Sequence, residues 1–302
     1  MAEAQPGRPT DRLVGGYLLV AAIPLLLPGR PDGWPFLLLV HLGLAALLLP
    51  GTLERYRLHE PEGSAPPTGQ APQRGRTWTA ALADWYPLLL MPFLYWELPF
   101  LGATVWDGRF FDGIILGWEQ ALFGGQPSAT LALRWDSLVL SEILHLAYLA
   151  YFPLLFVVPA ALFFEGRPDA FRRSVFALMI GFLAHYVVFL AFPVQGPRYL
   201  FPAPGGPPAS GALYGITHTV LEAGSSRGAA FPSAHVAVAV IQTGNAIRFL
   251  PGAAPLVGLA TLGIAVGAVY GGFHYAADVL AGAASGALIA LLAPAAWRQL
   301  RR

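Results

Sequence analysis

The chain has 302 residues, of which 56% are hydrophobic and only 12% are charged. Soluble domains carry about a quarter charged residues, so this composition indicates a protein of the lipid bilayer. The absence of cysteine excludes disulfides, thiolate metal sites and a cysteine nucleophile. The net charge of +1 provides no global attraction for nucleic acid, and we expect no nucleic-acid partner.

About eight stretches approach the roughly 20 apolar residues that a helix needs to cross a bilayer core. The sequence therefore predicts an all-α, polytopic transmembrane bundle. Residues 1–101 would hold the N-terminal helices and a cytoplasmic linker, and residues 102–302 a core that carries the candidate motifs. The expected spans are residues 12–27, 34–50, 80–101, 136–164, 174–193, 230–250, 254–271 and 275–297.

The loops between these spans predict the orientation of the chain. Most arginines fall on the side that holds both termini, and basic loops are retained in the cytoplasm. On the opposite side, apolar residues recur at helical spacing in residues 106–135, which predicts an amphipathic helix on the membrane surface. Residues 194–228 are rich in Gly and Pro, which predicts an irregular extracytoplasmic cap. The linker at residues 51–77 is polar and predicted to be flexible.

Three short polar motifs, at residues 195–199, 231–235 and 272–278, follow one another in the second half of the chain. The fifth span leaves the membrane at the first motif, and the sixth enters at the second. The sixth and seventh spans then form a hairpin that returns the chain to the same side before the third motif. The predicted topology therefore brings polar residues from three places to the extracytoplasmic face.

His274 and Asp278 lie four residues apart, a spacing that places two side chains on one face of a helix. A carboxylate that accepts the N–H of one imidazole nitrogen fixes the tautomer and leaves the other nitrogen free to attack. His274 is therefore a candidate nucleophile. His235 is a candidate general acid, because an ordinary imidazole pKa near 6.5 suits proton transfer near neutral pH.

Candidate phosphate ligands surround these histidines in the predicted topology. Arg198 and Arg227 could bind the equatorial oxygens on which charge develops in phosphoryl transfer. Ser233 and the backbone N–H groups that follow it could add donors at a helix start. Arg227 could equally anchor the loop at the interface, and Ser233 could equally serve as an N-cap.

The motifs resemble those of the type-2 phosphatidic acid phosphatase superfamily, KxxxxxxRP, PSGH and SRxxxxxHxxxD. Residues 232–235 read Pro-Ser-Ala-His, and His274 and Asp278 keep the spacing of the third motif. Within the superfamily, the form of the third motif and the stretch at residues 112–124 resemble the inositol phosphorylceramide synthase-like branch. The resemblance implies a metal-free phosphohistidine mechanism, with His274 as nucleophile, Asp278 as its orienting group and His235 as acid. We expect no cofactor.

The chain departs from the superfamily motifs at several basic positions. Only Arg198 matches the first motif, since Ala191 stands in place of Lys and Tyr199 in place of Pro. Gly267 and Ala268 stand in place of the Ser-Arg pair of the third motif. The loss of basic ligands favours a substrate of lower charge, such as a phosphodiester.

Polar residues inside or beside the predicted spans are further candidates, because buried ionisable groups in a bilayer are usually functional. We expect them to line a head-group cavity below the site, or to satisfy one another across helix contacts. They are Glu142, His145, His185, Tyr186 and Tyr275.

These observations predict an integral protein of the cell membrane that acts on a membrane lipid. If water accepts the phosphate-containing group, the protein is a lipid phosphatase. If a polyol or a lipid alcohol accepts it, the protein is a synthase-like phosphotransferase. The alternative is a lipid transporter or flippase that binds anionic head groups without covalent chemistry.

Overall fold

The structure is a computed structural model that describes residues 8–49 and 78–301, and every regular element in these two ranges is a helix. The cytoplasmic linker expected at residues 51–77 lies outside the described residues. The α-helices in chain order are α1 Pro9–Ala21, α2 Trp34–Leu48, α3 Trp78–Trp96, α4 Leu98–Trp106, α5 Asp112–Phe123, α6 Pro127–Arg134, α7 Leu138–Leu149, α8 Tyr151–Phe164, α9 Pro168–Ala191, α10 Ala212–Gly224, α11 Ala234–Phe249, α12 Ala254–Tyr270 and α13 Ala276–Leu300.

Each expected span overlaps at least one of these helices. In the described ranges, three segments are long and apolar enough to cross a membrane, Leu138–Phe164, Pro168–Ala191 and Ala276–Leu300. Helices α3 and α4 meet at a 43° bend and together provide a fourth, whereas α2 and α12 are apolar but shorter. The helical architecture thus agrees with the sequence, and the number of eight crossings stays a prediction.

Small residues bring α11 and α13 into close contact. A methyl group added at Gly282 would collide with the carbonyl oxygen of Ser233, and one at Gly286 would lie 2.5 Å from that of Ala237. The Ser233 amide also donates to the Asp278 carbonyl oxygen at 3.0 Å. The two helices therefore begin side by side, which places the second and third motifs at one end of the bundle.

The cap over this end contains more helix than the sequence indicated. Residues 106–135 form two helices, α5 and α6, and Gly124 ends α5 in a left-handed conformation (φ 70°). The prediction of an irregular cap at residues 194–228 is wrong for residues 212–224, which form α10. The Glu142 carboxylate accepts hydrogen bonds from the amides of Leu213 (2.9 Å) and Tyr214 (3.1 Å), and caps contribute about 1 kcal/mol to a helix. Because this acceptor comes from α7, residues 211–214 carry no local sign of it.

Candidate active site

The two histidines of the second and third motifs face each other. His274 lies in the loop between α12 and α13, and His235 lies in the first turn of α11. The Nε2 atom of His274 is 3.2 Å from the Nδ1 atom of His235. Two residues that are 39 positions apart in the chain thus form one hydrogen-bonded pair.

The surroundings of His274 fix its tautomer. Its Nδ1 lies 3.1 Å from the carbonyl oxygen of Ala230 and 3.5 Å from Oδ2 of Asp278. Because a carbonyl oxygen can only accept, Nδ1 carries the proton and Nε2 keeps a free lone pair. Burial lowers the pKa of His274 to about 4, so the imidazole is neutral at neutral pH.

Asp278 holds the loop as well as the imidazole. The same Oδ2 atom that lies near His274 accepts a hydrogen bond from the backbone amide of Tyr275 at 2.9 Å. The sequence predicted that Asp278 would orient His274. In the structure the Ala230 carbonyl oxygen makes the shorter contact, and Asp278 adds a carboxylate beside the ring.

The ring of His235 rests on two tyrosines. Its centroid lies 5.4 Å from that of Tyr148 and 4.4 Å from that of Tyr151. Since Nε2 of His274 presents a lone pair, the contact between the imidazoles is favourable when His235 Nδ1 carries a proton. In that tautomer the pair sets an N–H donor beside an unprotonated ring nitrogen.

Arg198 shares a cavity with both imidazoles. The cavity has a volume of about 30 Å³ and is also lined by Tyr95, Tyr148 and Phe273. This is room for about one or two water molecules, which an entering phosphoryl group would displace. One guanidinium nitrogen of Arg198 donates to the Ser225 hydroxyl at 3.2 Å. The cavity thus brings together two imidazoles and a guanidinium group.

The other two predicted phosphate ligands do not line this cavity. Arg227 is exposed and donates from Nε to the Gln195 side-chain oxygen at 2.7 Å, with its guanidinium 5.2 Å from the Phe110 ring centre. Ser233 is buried, and its hydroxyl accepts from the amide of Val236 at 3.4 Å as an N-cap of α11. Their roles in phosphate binding stay predictions.

The residues predicted to line a head-group cavity also lie outside the lining of the cavity at His235 and His274. His145 donates from Nδ1 to the Ser141 carbonyl oxygen, and His185 to that of Gly181, each at 2.7 Å. The other nitrogen of His185 lies 3.1 Å from the Ser285 hydroxyl, so the two histidines have separate partners.

The three remaining candidates have structural contacts. Glu142 caps α10, and Tyr186 packs its ring against those of Tyr17 and Tyr95. The Tyr275 hydroxyl donates to Asp112 at 2.9 Å. Tyr275 therefore braces the loop that carries His274.

Asp112, on α5, organises the site although the sequence did not predict this role. Its carboxylate accepts from the amides of Gln195 and Gly196, both at 3.0 Å, and from the Tyr275 hydroxyl. Two turns further along α5, the Glu119 carboxylate accepts a hydrogen bond from the amide of Ala277 at 2.8 Å. The sequence did contain a signal for this role, because the two carboxylates lie seven residues apart on one face of an amphipathic helix.

We expect Asp112→Asn to lower kcat for lipid-phosphate turnover about 100-fold, since displacements near 1 Å in an active site cost that much. The asparagine side chain has one acceptor oxygen where the carboxylate has two, and it carries no charge. The loops that carry Arg198 and His274 therefore lose their common anchor. Initial-rate kinetics on the purified variant would test this. Asp136→Asn removes the same charge from an exposed loop position and is the matched control. A wild-type kcat and KM in Asp112→Asn would exclude the positioning role.

The helices and the paired histidines define a helical bundle with segments long and apolar enough to cross a membrane and a buried imidazole pair at one end. A family model for the PAP2 superfamily matches residues 114–292, and the chain belongs to that superfamily. Comparisons with curated proteins and with solved structures found no match.

The match confirms the superfamily that the motifs predicted, and the chain is an integral membrane protein of it. Superfamily members are phosphatases or phosphotransferases, which favours an enzyme that acts on lipid phosphate.

Proposed function

We propose that this protein is a membrane lipid phosphotransferase or phosphatase that works through a phosphohistidine intermediate. The observation that carries the proposal is the contact between the unprotonated Nε2 of His274 and the Nδ1 of His235, 3.2 Å apart in a cavity shared with Arg198. Superfamily membership supports the same class of reaction.

In the first step His274 Nε2 attacks the phosphorus of the donor lipid. A P–N bond forms and the P–O bond to the leaving alcohol breaks. His235 enters this step as an imidazolium, passes its Nδ1 proton to the leaving oxygen and becomes neutral. Arg198 neutralises charge on the equatorial oxygens, and Asp278 stabilises the positive charge that develops on the His274 ring. Both groups strengthen their interactions as the transition state forms, which lowers the barrier.

In the second step a hydroxyl compound attacks the phosphorus from the opposite side of the P–N bond. Its proton passes to the now neutral His235, the new P–O bond forms, and His274 leaves with the electron pair of the P–N bond. Water as the acceptor gives hydrolysis, and an alcohol gives transfer. Each histidine returns to its starting protonation state.

The positions that lack basic residues favour a phosphodiester donor and the synthase-like branch. A Cβ built on Gly267 would lie 2.5 Å from the Leu144 carbonyl oxygen and 3.2 Å from Cβ of Tyr148, so no longer side chain fits there. Ala268, at the arginine position of the superfamily motif, is fully buried. A diester carries one negative charge where a monoester carries nearly two, and Arg198 with its neighbouring donors suits that lower charge.

A panel of donor lipids tests the proposal. The protein in nanodiscs would receive phosphatidic acid, phosphatidylglycerol or phosphatidylinositol, and diacylglycerol and phosphate release would be followed with and without added polyol. We expect at least one donor to be cleaved. Movement of a fluorescent lipid between the leaflets of proteoliposomes, with no bond broken in any donor, would replace the proposal with a flippase.

We also propose that both termini are cytoplasmic and that the site faces the extracytoplasmic side, as the distribution of arginines indicates. The chain has no cysteine, so single cysteines can be introduced without background labelling. A membrane-impermeant thiol reagent applied to intact cells should label Ser225→Cys and leave Arg301→Cys unlabelled. Labelling of Arg301→Cys alone would reverse the orientation.

A further inference from the structure

A second cavity adjoins the active site, with a volume of about 290 Å³. It lies among α6, α10, the segment at residues 201–204 and the last turn of α12. Arg198 lines both cavities. The wall also includes Gly271 and Gly272, directly before the nucleophile loop, and a Cβ on Gly272 would lie 3.5 Å from the Ser128 carbonyl oxygen. The two cavities therefore share a side chain and a stretch of backbone.

Two residues that line this second cavity each carry a buried polar atom without a partner in the described part of the chain. The Ser128 hydroxyl is buried, with the residue only 7% exposed, and makes no hydrogen bond within the described chain. The Nε2 atom of His218 is also buried and has no partner among the same residues. Buried polar groups are nearly always hydrogen-bonded in native proteins, so two unsatisfied atoms on residues that line one cavity are candidate contacts for a bound ligand.

The lining favours a neutral ligand rich in hydroxyl groups. Burial and the neighbouring His145 and Arg198 lower the pKa of His218 to about 4, so its ring is neutral at neutral pH. The exposed carboxylate of Glu222 balances the charge of Arg198 and would repel an anionic ligand. Hydroxyl groups can donate to Glu222 and His218 and accept from Ser128 and Arg198.

The size and the position of the cavity favour a small ligand from the aqueous phase. Its volume lies at the lower limit of pockets that bind drug-sized molecules. It is formed mainly by interfacial helices and loops, on the side of the bundle where the three motifs meet. A molecule the size of a simple polyol can therefore reach it without crossing lipid.

We propose that this cavity binds the alcohol acceptor of the transfer reaction, and that the acceptor is a neutral, water-soluble polyol. The inference rests on the proposed function. A hydroxyl oxygen of the bound polyol attacks the phosphorus on His274, the P–N bond breaks, and the hydroxyl proton passes to His235. The product is a phosphate ester of the polyol. His218 and Ser128 act as positioning residues that hold the acceptor.

The test compares acceptor use in the wild type and in variants of the second cavity. Tritiated glycerol, inositol and glucose would be supplied with a donor lipid that the wild type cleaves, and the label followed into phosphate esters. His218→Phe keeps an aromatic ring between Tyr214 and Phe273 but removes the acceptor nitrogen. We expect the polyol KM to rise about tenfold, which corresponds to the loss of one hydrogen bond. The ratio of transfer to hydrolysis should fall accordingly.

Ser128→Ala provides a second variant, in which binding and stability are expected to respond differently. Its hydroxyl has no partner within the described chain, so its removal should leave the thermal unfolding temperature equal or higher while the polyol KM rises. Thr219→Val is the matched control on α10, because Thr219 is exposed and its hydroxyl contacts only the Gly215 carbonyl oxygen. A fall in unfolding temperature with an unchanged polyol KM would show Ser128 to be structural.

The outcomes separate this inference from the proposed function. Donor cleavage without label transfer to any polyol would overturn the acceptor site and leave the phosphatase reaction intact. A higher KM for the donor lipid with an unchanged polyol KM would assign the second cavity to the donor head group. Transfer only to a lipid alcohol such as diacylglycerol would also overturn the inference. Absence of any donor cleavage would contradict the proposed function itself.

Discussion

Replacement of His274 with glutamine is expected to lower turnover of the donor lipid by about 10⁴-fold or more, the scale seen when a nucleophile or its base is removed. The amide nitrogen of glutamine can occupy the position of Nε2, but it has no lone pair available for attack on phosphorus. The change preserves the size and polarity of the side chain. Loss of activity would therefore report on chemistry, provided that the variant keeps the unfolding temperature of the wild type.

A trapped intermediate gives the same prediction a direct readout. A donor labelled with ³²P at the head-group phosphorus, quenched in base, should leave label on the wild-type protein, and this label should be acid-labile as expected for a phosphoramidate. His274→Gln should carry none. His59→Gln is the control, since His59 lies in the linker at residues 51–77 and outside every motif. Equal covalent labelling of wild type and His274→Gln would place the intermediate on another residue.

The sequence predicted the elements that depend on local information. A run of apolar residues must be helical in a bilayer, because backbone groups have no other partners there. The positions of α9, α11 and α13 follow from this rule. The alternation of sides then brought His235 and His274 together in the prediction, and they lie together in the structure. Gly282 and Gly286 allow the close contact between α11 and α13.

Features that depend on distant partners could not be predicted in this way. Helix α10 follows a Gly/Pro-rich stretch, and its start is capped by Glu142 from 70 or more positions earlier in the chain. Asp112 likewise acts on amides more than 80 positions away. Neither partner leaves a trace in the local sequence that it stabilises.

The direction of a side chain beside a glycine turn could not be predicted from the sequence either. Arg198 and Arg227 were both candidate phosphate ligands, and Gly196 (φ 98°) and Gly228 (φ 101°) turn the backbone beside each of them into conformations that only glycine adopts readily. The turns direct Arg198 to the histidine cavity and leave Arg227 against Gln195 and Phe110. Sequence spacing alone cannot separate these two outcomes.

Replacement of His235 with asparagine is expected to lower turnover of natural donors by roughly 10²- to 10⁴-fold, the usual contribution of general acid catalysis. Asparagine places an amide nitrogen near the position of Nδ1, so a hydrogen bond to substrate survives. The amide does not release its proton, however, and the leaving alkoxide must depart unprotonated. The loss should therefore depend on the leaving group.

A donor with a nitrophenol leaving group isolates this effect, because nitrophenolate departs without a proton. With the nitrophenyl ester, the first step in His235→Asn should approach the wild-type rate, seen as a burst of coloured product. The second step still needs His235 to take the proton of the acceptor, so the burst should be followed by slow turnover while phosphate stays on His274. Equal losses with lipid and nitrophenyl donors would exclude proton transfer by His235. Such a result would leave this residue only a role in shaping the cavity, and the 3.2 Å contact between the imidazoles would then be structural.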